Sequence, residues 1–557
     1  MACVPSAGDV LAKNLVRAQN VSNIALFGED RYDCETDYRR SAEVGQFCMH
    51  RRACKTASRH VARSYQTLIG RVLAVRKPNI YAGWHHTGRA IAWLGGAILV
   101  VALAFLPLTW IVLLTGGVGV ALLLVRWPWL IWLILAALLP FASAQRIGPT
   151  TLTDLLVGVG VALWVADGAR RRTLPLHWSP VAKLAMLYTV LLLVSTSFAI
   201  DLGEGVREVI KWLELPMILL AVPAMLTVRS AQWVAAALVV AAVAQALLGL
   251  YQFVFGIGPE YFVIMGRFMR ASGSFEQPNP FGGFLGLALP AVLSLALWAG
   301  GRLVRGGDSR LAAALWFSFY AGATAIIAGG LLASWSRGAW LGAATGVLIV
   351  LVMRNRRASI LSAVAGLVLS VIVLLGVFTP DALPRPVVER VQDIPAYWGL
   401  TDVLSQPVTD ENFSVVERIA HWVAAQRMWI QSPWFGVGPG NYAVVYPSVR
   451  LPQWEEALGH AHNIYLNVLG ESGLVGLTAY LMLWVTTVAW VWHQARVCGR
   501  GRTADSHWQV AVAIGVTGLV IHVSVHNLVD NLFVRGMVVY SGLWLALVPV
   551  DRDGVEN

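Results

Sequence analysis

Polar residues that can move a proton stand together late in the chain, immediately before an apolar stretch of helix length. His460 and His462 lead into Asn463, and Asn467 and Glu471 follow at intervals of four residues. Residues four apart share one face of a helix, so the two amides and the carboxylate form a polar stripe. Because an imidazole accepts a proton near neutral pH, His462 is our candidate general base. The alternative for a single histidine is a hydrogen-bonded packing group.

Arginines in short connections between apolar stretches form a second group of candidates. Arg267 and Arg270 precede a segment rich in Gly, Ser and Pro that leads into a helix near Asn279, and Arg337 occupies a tight turn. A guanidinium presents two parallel N–H donors to a phosphate, and helix N-termini attract anions. These residues predict a binding site for a diphosphate. The alternatives are an ordinary loop with an Asx-type helix entry at Asn279, a turn residue at the interface for Arg337, and snorkelling of long side chains to the membrane surface.

Three further polar residues lie near the predicted helix ends. Arg207 and Lys211 are one helical turn apart, and Asp530 belongs to the turn 526–531 between the last two apolar stretches. Asp530 either completes a substrate cavity or caps a helix, because Asp and Asn are good N-caps.

The composition is that of a membrane protein. Of 557 residues, 57% are hydrophobic and 13% are charged, whereas soluble domains carry about 25% charged residues. The apolar runs have the length of membrane-spanning helices and lack the alternation of barrel strands. We therefore predict an all-α, polytopic integral membrane protein with about 14 transmembrane helices and one large extracytoplasmic loop.

The chain divides into four predicted regions. Residues 1–87 form a basic, polar cytoplasmic extension, residues 88–378 the first eleven helices, residues 379–465 the large loop and residues 466–557 the last three helices. Arginines recur in alternate connections, and because Lys and Arg favour the cytoplasmic side, we expect both termini in the cytoplasm.

The large loop has recognisable internal elements. Its stretch from Glu417 to Met428 is typical of an amphipathic helix, with Ile419, Trp422 and Val423 as further apolar contacts. A glycine-rich turn, Pro433–Asn441, follows this helix.

The charge and the motifs exclude several functions. The net charge of +11 lies largely in short connections between apolar stretches, where it sets topology, so we expect no nucleic-acid partner. The chain contains neither a phosphate-binding loop nor a His-Glu-x-x-His motif. Its single Asp-x-Asp pair, Asp551 and Asp553, lies in the C-terminal tail. We predict no cofactor and no metal site.

Several motifs resemble those of the O-antigen ligase and O-antigen polymerase family of bacterial membrane glycosyltransferases. The block begins with His462 and Asn463, and after nine residues it ends with Gly473 and Gly476. Four other segments match in the same order, so the resemblance extends over roughly residues 150–545. These segments are Arg270–Phe281, Ser336–Gly338, Gly436–Asn441 and His526–Asp530. The long N-terminal extension and about two additional helices depart from the family pattern.

The resemblance implies a specific reaction at the outer face of the bacterial inner membrane. An undecaprenyl-diphosphate carrier would donate a glycan to an acceptor hydroxyl of the lipid A core or of a growing polysaccharide, without metal or nucleotide. By resemblance, Arg270 and Arg337 grip the diphosphate and His462 activates the acceptor. The remaining candidates for substrate binding are Arg267, Asn279, Arg207, Lys211, Asn463, Asn467, Glu471 and Asp530. Ligase and polymerase are not distinguished.

The competing interpretation is a multi-helix transporter of a small anion such as bicarbonate. Transporters place their polar residues near the middle of the membrane. The candidate residues here cluster at predicted helix ends, and this position favours the transferase.

Overall fold

The chain is helical throughout the part that a computed structural model describes. The described residues are 108–143, 145–147, 150–264, 266–305, 309–354, 356–379, 381, 404–405, 407–409, 412–499 and 503–550. The structure is 77% helical, which confirms the all-α prediction. Two antiparallel hairpins of two residues per strand pair β1 (Arg146–Ile147) with β2 (Thr150–Thr151) and β3 (Val263–Ile264) with β4 (Phe268–Met269).

Fifteen α-helices lie within the described residues. They are α1 Leu108–Arg126, α2 Leu130–Ala142, α3 Leu152–Arg171, α4 Pro180–Ser195, α5 Leu202–Met225, α6 Val228–Phe255, α7 Pro278–Arg305, α8 Arg310–Ala333, α9 Arg337–Arg354, α10 Arg356–Phe378, α11 Phe413–Gln431, α12 Tyr442–Val449, α13 Ile464–Cys498, α14 Ala504–His526 and α15 Met537–Ala546.

The helices begin where the sequence supplies capping residues. Thr151 and Asp154 form a reciprocal capping box at α3, and Thr227 heads another at α6. Ser179 accepts a backbone hydrogen bond at the start of α4, where Pro180 occupies the first helical position. These side chains satisfy N–H groups that have no partner within the helix, so they fix where each helix starts.

Eight of these helices are long and apolar enough to cross a membrane. They are α3, α4 with the short 3₁₀ turn after it, α6, α7, α8, α9, α13 and α14. The prediction of a polytopic membrane protein is confirmed, but the count of about 14 is not. The first predicted span lies outside the described residues. Helix α5 contains five charged residues between Glu204 and Glu214, so its composition differs from that of an ordinary span.

Helix α7 occupies the centre of the bundle. Its membrane-length stretch is almost wholly buried, and it packs against α8, α9 and α14. Phe284 of α7 contacts Phe275 and Tyr540, with ring centroids 5.1 and 4.7 Å apart. Helix α13 packs against α4 and α14, so the ends of α7, α9, α13 and α14 are held close together.

The predicted large loop contains the two helices α11 and α12. Met428 of α11 and Tyr442 and Tyr446 of α12 are buried in a small apolar cluster of their own. Helix α11 packs against α13, so residues 412–463 form a folded layer beside the start of that helix.

Candidate functional site

The imidazole of His462 lies beside a carboxylate at the start of α13. Its Nδ1 is 3.4 Å from Oδ1 of Asp530, which is longer than an ordinary N–H···O hydrogen bond. Both ring nitrogens are buried, and neither has a hydrogen-bond partner among the residues that the structure describes. His462 also has a φ of 49°, a conformation that non-glycine residues rarely adopt outside functional sites and tight turns. The imidazole therefore faces the Asp530 carboxylate with Nδ1, and no described residue occupies the hydrogen-bonding position of Nε2.

Asp530 belongs to the turn that follows α14. Its second oxygen is 3.9 Å from Nε2 of His526, and Oδ1 also accepts a hydrogen bond from the Asn531 backbone. Burial raises the pKa of this carboxyl, but its contact with His462 and the charges of His460 and His526 outweigh burial and hold the pKa below its usual range. Asp530 thus remains ionised.

Two other histidines surround His462. The His460 ring centroid is 4.5 Å away, and its Nδ1 accepts a hydrogen bond from the His462 backbone N–H. Burial and the charge of His462 lower the pKa of His460 to about 3. His421 of α11 contacts His462 edge to face at 5.6 Å, and the same two causes lower its pKa to about 4. Such groups are weak bases at neutral pH, so the environment favours His462 over His460 as the base.

Arg270 and Arg337 border one short turn between α8 and α9. The Arg270 Nε donates to the Ser334 carbonyl at 3.0 Å, and one terminal nitrogen donates to Oδ1 of Asn279 at 3.1 Å. Arg337 is the first residue of α9 and donates to the Ser414 hydroxyl at 3.4 Å. The structure therefore brings both predicted arginines and Asn279 to one place.

Close helix packing connects this turn to the histidines. A Cβ added to Gly338 would lie 2.9 Å from Cδ2 of His526. His526 in turn approaches Asp530, which contacts His462. The absence of a side chain at Gly338 lets the start of α9 reach the end of α14, so the cations and the imidazole–carboxylate pair share one site.

The sequence analysis missed Arg418 of α11. Its Nη1 donates to the Ser414 carbonyl at 3.1 Å, and Arg337 contacts the hydroxyl of the same serine. Its charge also lowers the pKa of Glu417 next to it, although burial is the larger effect and raises that pKa. Arg418 is a third cation at the site. The sequence signal that could have identified Arg418 is its position on the predicted amphipathic helix, four residues after Ser414.

The polar stripe of α13 is buried and bonded to backbone. Asn463 caps α13 and donates to the Leu528 carbonyl at 2.9 Å. Asn467 accepts from the Ala461 N–H at 3.0 Å, and Glu471 accepts from the Tyr442 N–H at 2.9 Å. These bonds hold the histidine segment, the turn after α14 and helix α12 against α13.

Gly473 explains why the motif that begins with His462 and the glycine-rich turn occur together. It interrupts α13 with a φ of 65°, and a Cβ at this position would lie 2.3 Å from the Trp434 carbonyl carbon. Backbone hydrogen bonds join residues 433–438 to residues 470–475, among them Val437 N–H to Gly470 O at 3.1 Å and Leu474 N–H to Pro433 O at 2.9 Å. The glycine-rich turn is therefore fastened across the kink of α13.

The remaining predicted residues lie at the margin. Lys211 donates to the Phe533 carbonyl at 3.2 Å, close to the segment that carries Asp530. Arg267 is exposed, with its guanidinium 5.3 Å from the Phe268 ring centroid. Arg207 is exposed and pairs with Glu204, so its contacts link it to α5 itself and not to the histidine cluster.

The histidine cluster also has the ligand types of a metal site. His460, His462 and Asp530 each offer one ligand atom, and these atoms lie within 4.8 Å of one another. Imidazole and carboxylate are ligands that zinc accepts. The absence of a metal remains a prediction.

The fold and this site define a polytopic helical membrane protein with a polar centre at the ends of its helices. Residues 322–481 match the family described as O-antigen ligase. The match confirms the resemblance that the motifs indicate, and it supports a role in polysaccharide transfer. It includes Arg337, Arg418 and His462, whereas Arg270 and Asp530 lie outside it. No curated protein matches the chain.

Proposed function

We propose that the protein is a metal-independent glycosyltransferase that moves a glycan from an undecaprenyl-diphosphate carrier to an acceptor hydroxyl, as an O-antigen ligase or polymerase. The reaction would take place at the outer face of the bacterial inner membrane. One observation carries the proposal: an imidazole paired with a buried carboxylate lies beside a turn that presents arginines. A base for a hydroxyl and cations for a diphosphate are the two requirements of this reaction.

The proposed step is a direct displacement at the anomeric carbon. The acceptor oxygen attacks C1 of the sugar, its proton passes to Nε2 of His462, and the bond from C1 to the diphosphate oxygen breaks. The electron pair of that bond stays on the diphosphate, whose growing charge faces Arg270, Arg337 and Arg418. Fixed cations stabilise such charge without rearrangement. A single displacement inverts the configuration at C1.

The neighbours of His462 have supporting roles in this proposal. Asp530 orients the imidazole through Nδ1 and stabilises the imidazolium that forms, as the carboxylate does in a catalytic triad. Asn463, Asn467 and Glu471 hold the segment in place instead of contacting substrate, because their polar atoms bond backbone groups.

The margin of the site is the proposed contact surface for the two substrates. Lys211 and Arg267 are retained as substrate-binding residues, because both lie beside segments that carry residues of the site. Arg207 is the weakest candidate, since it pairs with Glu204 of its own helix, whereas Lys211, which pairs with Glu208 of that helix, also reaches the Phe533 carbonyl. The position of the polar groups at helix ends favours transfer over transport.

Transfer of glycan from a purified lipid-linked donor tests the assignment of the base. His462→Ala should lose roughly 10²–10⁴-fold in rate while it still binds the polyprenyl-diphosphate donor, and His460→Ala should be milder. Addition of EDTA should leave the rate unchanged. Full activity in His462→Ala, or loss of donor binding together with activity, would contradict the assignment.

Substitution of the arginines tests the diphosphate site separately. Arg270→Ala and Arg337→Ala should abolish transfer at normal expression, and lysine should restore little because it lacks the paired donors. Arg450→Ala is the matched control, since this loop arginine pairs with Glu455. An active alanine variant at either site would refute the role of that arginine.

A further inference from the structure

Three ligand atoms of the histidine cluster lie close enough to share one metal ion. His460, His462 and Asp530 each contribute one, and the three atoms lie within 4.8 Å of one another. The two histidines are two residues apart in sequence and their ring centroids are 4.5 Å apart, so the segment before α13 presents both imidazoles to the carboxylate. No other group of three such ligands occurs in the part of the chain that the structure describes.

The separation of His462 and Asp530 fits a metal site better than a hydrogen bond. Nδ1 and Oδ1 are 3.4 Å apart, whereas N–H···O hydrogen bonds are roughly 2.7–3.2 Å long. Two ligands of a tetrahedral zinc ion, with bonds of about 2.0–2.1 Å, are about 3.3–3.4 Å apart. Because neither ring nitrogen of His462 has a hydrogen-bond partner among the described residues, a metal would break no formed hydrogen bond of this ring.

The surrounding contacts hold the other two ligands in position. Ligating carboxylates and imidazoles are normally oriented by further polar groups. Oδ1 of Asp530 accepts from the Asn531 backbone N–H at 2.9 Å, and Nε2 of His526 lies 3.9 Å from the second oxygen. Nδ1 of His460 accepts from the His462 backbone N–H at 3.1 Å, which leaves Nε2 of that ring to face a metal. Binding there moves the ring proton to Nδ1 and gives up this one hydrogen bond.

The charges around the cluster make occupancy by a metal reversible. The charge of Lys211 reaches His460, and the charge of Arg418 reaches His526. Positive charges repel a divalent cation, and three protein ligands leave one tetrahedral position to water. A metal here is therefore held less tightly than in the closed four-ligand sites that stabilise a fold.

We infer that Zn²⁺ bound by His460, His462 and Asp530 reversibly inhibits glycan transfer. This inference rests on the proposed function, in which Nε2 of His462 takes the proton of the acceptor. A neutral imidazole has one accepting nitrogen and one N–H. Once Nδ1 of His462 gives its lone pair to zinc, the ring proton lies on Nε2, which then donates a hydrogen bond and accepts no proton. The metal is an inhibitor and not a cofactor, and the proposed transfer step uses no metal.

His460→Asn removes one metal ligand and keeps the backbone contact of the segment. The amide oxygen of asparagine lies near the position of Nδ1, so it can accept from the His462 N–H, but the side chain has no atom at the position of Nε2. His507→Asn is the matched control, because His507 is exposed near the opposite end of α14.

The kinetic test adds ZnCl₂ to transfer assays in zinc-free buffer, and each rate is expressed relative to the same protein without zinc. Zinc should inhibit the wild type and His507→Asn, and excess EDTA should restore both rates. His460→Asn should need at least roughly tenfold more zinc for half inhibition, because even indirect contacts of a metal site contribute roughly 10–100-fold to affinity. MgCl₂ should not inhibit, since Mg²⁺ prefers oxygen ligands.

Three results of this assay would overturn the inference. They are equal zinc sensitivity of the wild type and His460→Asn, equal inhibition by MgCl₂, and a rate of transfer or donor hydrolysis that rises with zinc. Transfer that is insensitive to zinc would refute the inference and leave the proposed function intact.

Equilibrium dialysis with radioactive zinc tests the site without donor and without transfer. The wild-type protein in detergent should bind one equivalent more than His460→Asn, and His507→Asn should match the wild type. Equal binding by the wild type and His460→Asn would contradict the assignment of the ligands. If the wild type binds the additional zinc but transfers no glycan in zinc-free buffer, the metal site stands, and the proposed function fails together with the inhibition.

Discussion

Replacement of Asp530 by asparagine isolates the contribution of the carboxylate to the site. The amide keeps the size of the side chain, and its oxygen can still accept the hydrogen bond that Oδ1 receives from the Asn531 backbone. The change removes the negative charge that faces His462 at 3.4 Å. If His462 takes the acceptor's proton, this charge stabilises the imidazolium in the transition state, and its loss should slow the chemical step.

The distance sets limits on the size of the effect. Two unit charges separated by 3.4 Å attract by about 5 kcal/mol at an effective dielectric constant of about 20, which is an upper limit. A hydrogen bond to a charged group contributes about 1.5–3 kcal/mol net, which gives the lower limit. Since about 1.4 kcal/mol corresponds to a factor of ten in rate, kcat should fall by between about tenfold and roughly 4,000-fold, and we expect about 10²-fold.

The assay is single-turnover transfer with donor already bound, accompanied by a separate measurement of the donor Kd. Asp530→Asn should lower the rate and leave the donor Kd unchanged. The control is Asp505→Asn, because Asp505 is exposed in the first turn at the opposite end of α14. A rate equal to that of the wild type, or a loss of donor affinity that accounts for the whole effect, would refute the reasoning.

Three further predictions concern stability and domain organisation. Gly473→Ala should destabilise the detergent-solubilised protein by roughly 3 kcal/mol, because backbone strain adds to a steric contact with Trp434. In the control Gly459→Ala, the added Cβ has no neighbour within 4 Å, so only backbone strain of about 1 kcal/mol is expected. Equal shifts in Tm for the two variants would contradict this prediction. The pKa of His421 is lowered to about 4, so its neutral form stabilises the fold fully above the unfolded value near ~6.5, and Tm should decline as pH falls towards ~4. His421→Phe should make that decline shallower, with the remainder due to groups such as His460, and a wild-type Tm that does not decline would argue against it. A protein without residues 1–87 should retain transfer activity in membranes, and one that inserts normally but is inactive would disprove this.

Apolar run length predicted the helices, and motif spacing selected the residues of the candidate site. Beyond residue 108, the long apolar stretches of the described residues correspond to helices, because run length is a local property. The position of His462 followed from its distance to Gly473, and both lie on one continuous segment. The contact between His462 and Asp530 was beyond sequence reasoning, because it depends on how α13 packs against α14. The sequence therefore favoured helix capping for Asp530 over a place in the cavity.

The orientation of α11 shows a different limit. Periodicity favoured Ile419, Trp422, Val423 and Met428 as apolar contacts. Met428 is buried, but the structure buries Ala420, His421, Ala424 and Ala425 more completely than the other three. Small residues face α13 because the helices approach closely there: a Cβ at Gly470 would lie 3.0 Å from the Ala425 carbonyl oxygen. Close approach of two helices favours small side chains over the most hydrophobic ones. This rotation also places Arg418 at the site.

The fastening of the glycine-rich turn across the kink of α13 constrains how loops can be exchanged between relatives. Residues 433–438 find their backbone partners in residues 470–475, and Ser195 donates its hydroxyl hydrogen to the Phe435 carbonyl at 2.6 Å. In a chimera joined at the start of α13, the glycine-rich turn would come from one relative and its hydrogen-bonding partners, residues 470–475, from the other. Modular replacement of the loop, for instance to change the acceptor, therefore has its natural C-terminal junction after Gly476.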